Sequence, residues 1–544
     1  MALFRILITL ILSAALPAAS IEISLLSTTD LHGNILPYDY YTAKAAPRGL
    51  AKVATLIKEA RIQNPNSLLL DCGDTIQGAP LETVHQMAVR AGKSTQIDPM
   101  MAVMNYLHYD AMAMGNHELN YGLNNMLTAR SQAKFPWLSA NTRIVPGGAA
   151  VKPFQGWIVK TVAGVKVGII GITTPAIPMW EKPDNYKGYR WISGVTAAKE
   201  ALAEMRKSTK PDVVVVIVHA GLDRDMATGQ IKTGEAAGEN MVHQIATDVP
   251  GIDVIFFGHT HQQLAGTIIN GVLLVQAKNW GGSLAKVDLK LEGAPGKWTI
   301  SSKDSRLIPV TAATVADAKV MAIAKPYHDE AEKYLSEPVA ESLVSLRGTH
   351  AREMDSALVD MIHEVQMHYA KADVSFASLF NTAVNFPKGP VTVRELASLY
   401  IYDNELYAIE GDGQMVKDAL ENAARYFLSC PSDGCPGNAQ TNPKVIGFNY
   451  DTAQGVDYEI DLRRPEGERI RNLMYKGMPL AMDQKLRLAV NNYRSGGSGG
   501  YTMFQRAPIV WRSGMEIREM MIDYYREKKV FPEKPDNNWR LVLR

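Results

Sequence analysis

The chain has 544 residues, 46% of them hydrophobic and 21% charged, and its 57 Lys and Arg against 56 Asp and Glu leave a formal net charge of +1. That length accommodates two or three domains. The hydrophobic content is ordinary for a globular protein, and the balanced charge with no polybasic tail argues against a partner such as a nucleic acid polymer.

At the N-terminus, Arg5 precedes an apolar run over 6–16 and then Pro17-Ala18-Ala19-Ser20. A charged start, a short apolar core and small residues predict a secretory signal peptide over 1–20, cleaved near Ala19 or Ser20. The run is too short to cross a bilayer comfortably. With no later span in the sequence, the mature chain is expected to be soluble and periplasmic or secreted. In that oxidising setting a disulfide is expected between Cys430 and Cys435, which bracket a turn-rich loop. Cys72, closing an apolar run, is expected to be a buried core residue.

From residue 21 strands and helices alternate. Strands are predicted over 21–29, 67–71, 111–114, 166–173, 213–218 and 253–257, and helices over 49–60, 98–107 and 123–134. That alternation predicts a layered α/β domain with buried strands. The run 273–291 returns to β character. A helix broken at Pro326, within 314–334, is read as a linker. Beyond about residue 338, helices over 354–370 and 413–427 alternate with strands over 406–410, 456–462 and 485–491. The predicted organisation is a catalytic domain over 21–312, a helical linker over 313–337 and a second α/β domain over 338–544.

Five of the early strands end in matching chemistry: Asp30-Leu31-His32, Gly73-Asp74, Gly115-Asn116-His117-Glu118, His219 and Gly258-His259-Thr260-His261. The carboxyl ends of strands are where open α/β sheets bind ligands. Gly73, Gly115 and Gly258 are expected to let the backbone turn sharply there. Asp30, His32, Asp74, Asn116, His219, His259 and His261 offer oxygen and nitrogen donors and no thiolate, a mix suited to divalent Mn, Zn, Co or Fe. The expectation is two ions, one on Asp30, His32, Asp74 and His261, the other on Asp74, Asn116, His219 and His259. Asp74 then bridges ions ~3.5–4 Å apart, the spacing of two-metal hydrolases. Four positive charges against two carboxylates favour an anionic phosphate ester.

On these motifs the sequence resembles the calcineurin-like metallophosphoesterases, and within them the two-domain secreted 5′-nucleotidases. The resemblance implies an α/β/β/α sandwich joined to a C-terminal 5′-nucleotidase-type domain that recognises the nucleoside. His117 resembles the family's catalytic histidine, set beside the phosphate to protonate the leaving oxygen. Family members with 5′-nucleotidase activity tend to carry Asp three residues on, where this chain has Asn120. An amide supplies no negative charge, so His117 is expected to hold a proton less readily than in those relatives. The family's paired base-stacking rings map to Tyr458 and Tyr493. The family's loop aspartate is missing from the glycine-rich 495–501, and its phosphate-clamping arginines from 378–383.

Asn120, the stretch Tyr400-Ile401-Tyr402-Asp403-Asn404-Glu405, and Asn491-Asn492-Tyr493-Arg494 resemble instead the branch of bacterial periplasmic 2′,3′-cyclic-nucleotide 2′-phosphodiesterase/3′-nucleotidases. That implies opening of a cyclic nucleotide to a 3′-nucleotide, then release of nucleoside and phosphate. The chain is expected to be a monomer. The alternatives are a 5′-nucleotidase or UDP-sugar hydrolase, a thiosulfohydrolase, and a non-catalytic nucleotide-binding protein.

Overall fold

The computed structural model describes residues 19–147, 151–226, 228–232, 238–402, 404–431, 435 and 437–544. Nearly all of the expected signal peptide, residues 1–18, lies outside them. The N-terminal part is a sandwich of two six-stranded sheets. In the first, β1 (Ala19–Thr28), β2 (Ser67–Asp71) and β3 (Ala111–Ala113) are parallel neighbours. In the second, β4 (Val213–His219) and β5 (Val254–Phe257) are parallel neighbours.

Both faces of these strands are buried, which is why each is written as an almost unbroken apolar run. Leu25, Leu70 and Ala111 of the first sheet meet Val213, Val215, Ile217 and Phe256 of the second in one dry layer. Outside the first sheet, Leu26, Leu69 and Met112 pack against the helices Leu50–Gln63 and Pro99–Tyr106. Outside the second, Val214, Val216, Val218 and Ile255 pack against Gly194–Ser208 and Val242–Asp248. The result is the expected α/β/β/α order.

Two of the expected elements take a different course. The β run over 273–291 is two strands in different sheets, Val272–Gln276 beside β5 and Ser283–Gly293 beside β1. A short turn at Asn279–Gly281 carries the chain between them, with Trp280 at φ 60°. The linker helix is not broken at Pro326 but runs unbroken from Ala318 to Leu335. Its face of Val320, Ala324, Tyr327, Ala331 and Leu335 is buried, and the Tyr327 hydroxyl donates to the Ile97 carbonyl at 2.7 Å. That packing outweighs the roughly 3 kcal/mol cost of an interior proline.

In the C-terminal part, β6 (Glu405–Asp412) and β7 (Lys485–Asn491) are antiparallel neighbours in a five-stranded sheet, with Leu406 opposite Asn491. A four-stranded sheet includes Asp457–Asp461. Cys430 and Cys435 form the expected disulfide, and Cys72 is a buried free thiol.

Candidate metal centre

The strand ends converge. Asp30 and His32 follow β1, Asp74 follows β2, Asn116 follows β3, His219 closes β4, and His259 and His261 follow β5. Asp30, His32 and His261 form one group of donor atoms lying within 4.8 Å of one another, and Asp74, His219 and His259 form a second. Asn116 joins the second through its Oδ1, 3.0 Å from His219 Nε2. Asp74 Oδ2 lies 2.9 Å from His219 Nε2 and 3.8 Å from His32 Nε2, between the two groups.

Convergence demands an unusual backbone. Asp30, His32, Asp74, His259 and His261 all have φ between 46° and 73°. Side-chain-bearing residues are rarely held there, and such strain gathers at functional sites. Of the three glycines expected to make turns, Gly73 alone has positive φ, at 94°. Gly115 and Gly258 are needed for closeness instead. A Cβ on Gly115 would sit 2.2 Å from Asp74 Oδ1, and one on Gly258 would sit 1.9 Å from Thr29 Oγ1 and 2.5 Å from Asp30 Oδ2.

The donor set fits a divalent cation. His32 Nδ1 lies 3.0 Å from the Gln77 carbonyl and His219 Nδ1 2.9 Å from the Cys72 carbonyl. Donating there fixes each ring and turns its Nε2 inward. Burial lowers His32 and His261 to about 4, so both rings are neutral at pH 7, the form in which imidazole can bind a metal. Burial also opposes ionisation of Asp74, but His219, His117 and His32 outweigh it and hold that carboxyl well below its usual range. His219 is drawn up to about 10, its burial overcome by Asp74. The carboxylate that attracts that proton attracts a metal ion in the same way.

Glu118, quoted in the motif but given no role from sequence, holds two of the loops together. Its carboxylate accepts from the backbone N–H of Gly115 at 2.6 Å, Asp74 at 3.0 Å and Thr75 at 2.5 Å. Burial, with Asp74 close by, raises it to about 7. His117 lies at the rim, its Nε2 4.0 Å from Asp74 Oδ2 and its backbone N–H donating to Asp74 Oδ1 at 2.9 Å. Asn120 Oδ1 is 2.5 Å from His117 Nδ1.

The two tyrosines part company. Tyr493 reaches the centre from the C-terminal part, its hydroxyl 3.2 Å from His117 Nε2 and its ring stacked on Trp180 at 5.9 Å. Tyr458 does not reach it. It is 3% exposed, stacked on Trp539 at 6.4 Å, and its hydroxyl accepts from the Ala453 N–H. Its strand pairs Tyr458 with Trp539, which turns the ring into the domain core. Tyr402 is an exposed ring of the C-terminal part, 36% exposed and edge-on to Phe380, with Phe448 beside it at 6.4 Å. The glycine-rich stretch is folded down, with Tyr501 fully buried and its hydroxyl donating to the Asn449 carbonyl at 3.0 Å.

Residues 23–263 match the family model for calcineurin-like phosphoesterases, and residues 338–506 the model for the 5′-nucleotidase C-terminal domain. A 2′,3′-cyclic-nucleotide 2′-phosphodiesterase/3′-nucleotidase from Salmonella typhimurium is 30% identical over 98% of this chain and 91% of that protein. The trifunctional nucleotide phosphoesterase YfkN of Bacillus subtilis is 30% identical over 96% of this chain, which spans 39% of its length. A Staphylococcus aureus structure described as a candidate 5′-nucleotidase superposes with a TM-score of 0.80 at 25% identity, covering 96% of this chain and 100% of that one. With both family models matched and 30% identity along nearly its whole length, the chain belongs to the calcineurin-like metallophosphoesterases that carry a 5′-nucleotidase C-terminal domain.

Proposed function

We propose that the protein opens 2′,3′-cyclic nucleotides to 3′-nucleotides and then hydrolyses these to nucleoside and phosphate. The observation that carries the phosphohydrolase reading is Asp74, lying between two convergent donor groups with His117 at its rim. Asp30, His32, Asp74 and His261 would hold one divalent ion, and Asp74, Asn116, His219 and His259 the other. When bound, such ions neutralise phosphate charge and activate water. His117 turns Nε2 toward the centre, where it serves the leaving oxygen.

Tyr493, backed by Trp180, offers the nucleobase a stacking face. Tyr402 lies three residues before β6 and Tyr493 two after β7, so both follow the same end of that paired sheet. This placement favours Tyr402 over the buried Tyr458 as the second ring. The cyclic and 3′ preference is supported by Asn120 and by the 30% identity to the Salmonella enzyme, against 23% to the Vibrio cholerae 5′-nucleotidase. The 5–20 leader pattern and the Cys430–Cys435 bridge support a location outside the cytoplasm.

Purified protein supplied with manganese or cobalt is expected to turn over 2′,3′-cyclic AMP and 3′-AMP with higher kcat/KM than 5′-AMP. Preference for 5′-AMP would overturn this reading in favour of a 5′-nucleotidase, which the Staphylococcus aureus superposition supports.

A further inference from the structure

An amide beside a histidine can present either its oxygen or its NH2 group, and the two choices select opposite ring tautomers. Here Asn120 gives its oxygen to His117 Nδ1, and its Nδ2 donates to Glu181 Oε2 at 2.7 Å. Glu181 is buried, just past the short helix Ile177–Trp180. Its other oxygen accepts from the Lys182 N–H and from Asn185 Nδ2, each at 2.7 Å. Asn185 Nδ2 also lies 3.3 Å from the Asn120 carbonyl. Three donors therefore point at one carboxylate, which only accepts. The NH2 of Asn120 has to face Glu181, its oxygen is left for His117, and His117 keeps its hydrogen on Nδ1. Nε2 is then the nitrogen through which His117 passes a proton to the leaving oxygen while Nδ1 keeps its own, and it faces the metal centre and the Tyr493 hydroxyl.

We propose that Glu181 is a positioning residue for the hydrolytic step: acting through the Asn120 amide, it decides which nitrogen of His117 faces the phosphate. The proposal rests on the phosphohydrolase reading above and adds a residue to it. It also accounts for the departure at Asn120. A carboxylate at that position would stand 2.7 Å from Glu181, and two buried like charges at that separation repel.

Charge exchange tests it. Glu181→Gln cannot accept from all three donors, so Asn120 is expected to flip and kcat to fall about ten-fold or more with KM unchanged. Asn120→Asp alone, which sets two carboxylates together, is expected to lose at least as much. In the double variant Asn120→Asp/Glu181→Gln, the new amide donates to the new carboxylate while its oxygen still accepts from Lys182 and Asn185. That pair is expected to recover kcat to within about three-fold of wild type, a rescue that a generic packing role does not produce.

Long-range 1H–15N spectra of the zinc-loaded protein, with His117→Gln to identify the signals, are expected to show the Nδ1–H tautomer in wild type and Nε2–H in Glu181→Gln. An unchanged tautomer, unchanged kcat in Glu181→Gln, or additive losses in the double variant would each overturn the proposal. If wild type prefers 5′-AMP, the substrate assignment falls while the Glu181 comparison is made on 5′-AMP.

Discussion

Asp74 binds more of the centre together than any other side chain described. One of its oxygens faces His219, His32 and His117, and the other accepts from the His117 N–H. Asp74→Ala is expected to abolish turnover and to leave less than one bound metal per chain, as measured by elemental mass spectrometry. The partnership with His219 also sets a pH dependence. His219 is raised in the fold from 6.5 to about 10. Its contribution to stability is therefore complete below about pH 6.5 and is lost as pH rises through about 10. Metal-free protein should show Tm falling across that window. The fall should flatten in His219→Gln, and metal loading should remove it, because a bound cation displaces the proton and releases it to solvent.

At the scale of elements, the strand ends trade backbone comfort for donor placement. Five donor residues sit in the left-handed region, and two glycines leave room for carboxylates. Gly258→Ala should cost about 1–3 kcal/mol in denaturant unfolding, since its Cβ collides with Thr29 and Asp30. Metal affinity should fall with it, because Asp30 has to move. The linker helix carries the opposite opportunity. Pro326 is exposed and interrupts the hydrogen-bond ladder of a helix already held by its packed face. Pro326→Ala should stabilise the protein by about 1–3 kcal/mol, read as a raised Tm with unchanged kcat.

Across the whole molecule, the centre is completed by a segment remote in sequence. The Asn492 side chain donates to the Trp180 carbonyl at 2.8 Å, Lys182 pairs with Glu405, and Tyr493 touches both Trp180 and His117. The short stretch 180–182 thus touches the C-terminal part on two sides while Glu181 holds Asn120. Tyr493→Ala should raise KM for nucleotides about ten-fold, matching the loss of roughly 1–3 kcal/mol of base stacking. Metal content should not change, because the Tyr493 hydroxyl faces His117, which is not one of the proposed ligands. Among the described residues no helix is long and apolar enough to cross a membrane.

The chain's order of residues was enough to place the donor groups, because a strand buried on both faces is an uninterrupted apolar run and a polar donor at its end breaks the pattern visibly. The run 213–218 followed by His219 is such a case, and Lys485–Asn491 was legible to the residue. What tertiary structure decided depends on partners far away in the chain. The run 273–291 reads as one β stretch, and only its neighbours divide it between two sheets. Tyr458 has the same local signature whether it faces substrate or core, and Trp539 on the adjoining strand turns it inward. Glu118 within its motif and Glu181 beyond it were given no role from the sequence, and what each does follows from which backbone and amide hydrogens the fold aims at it.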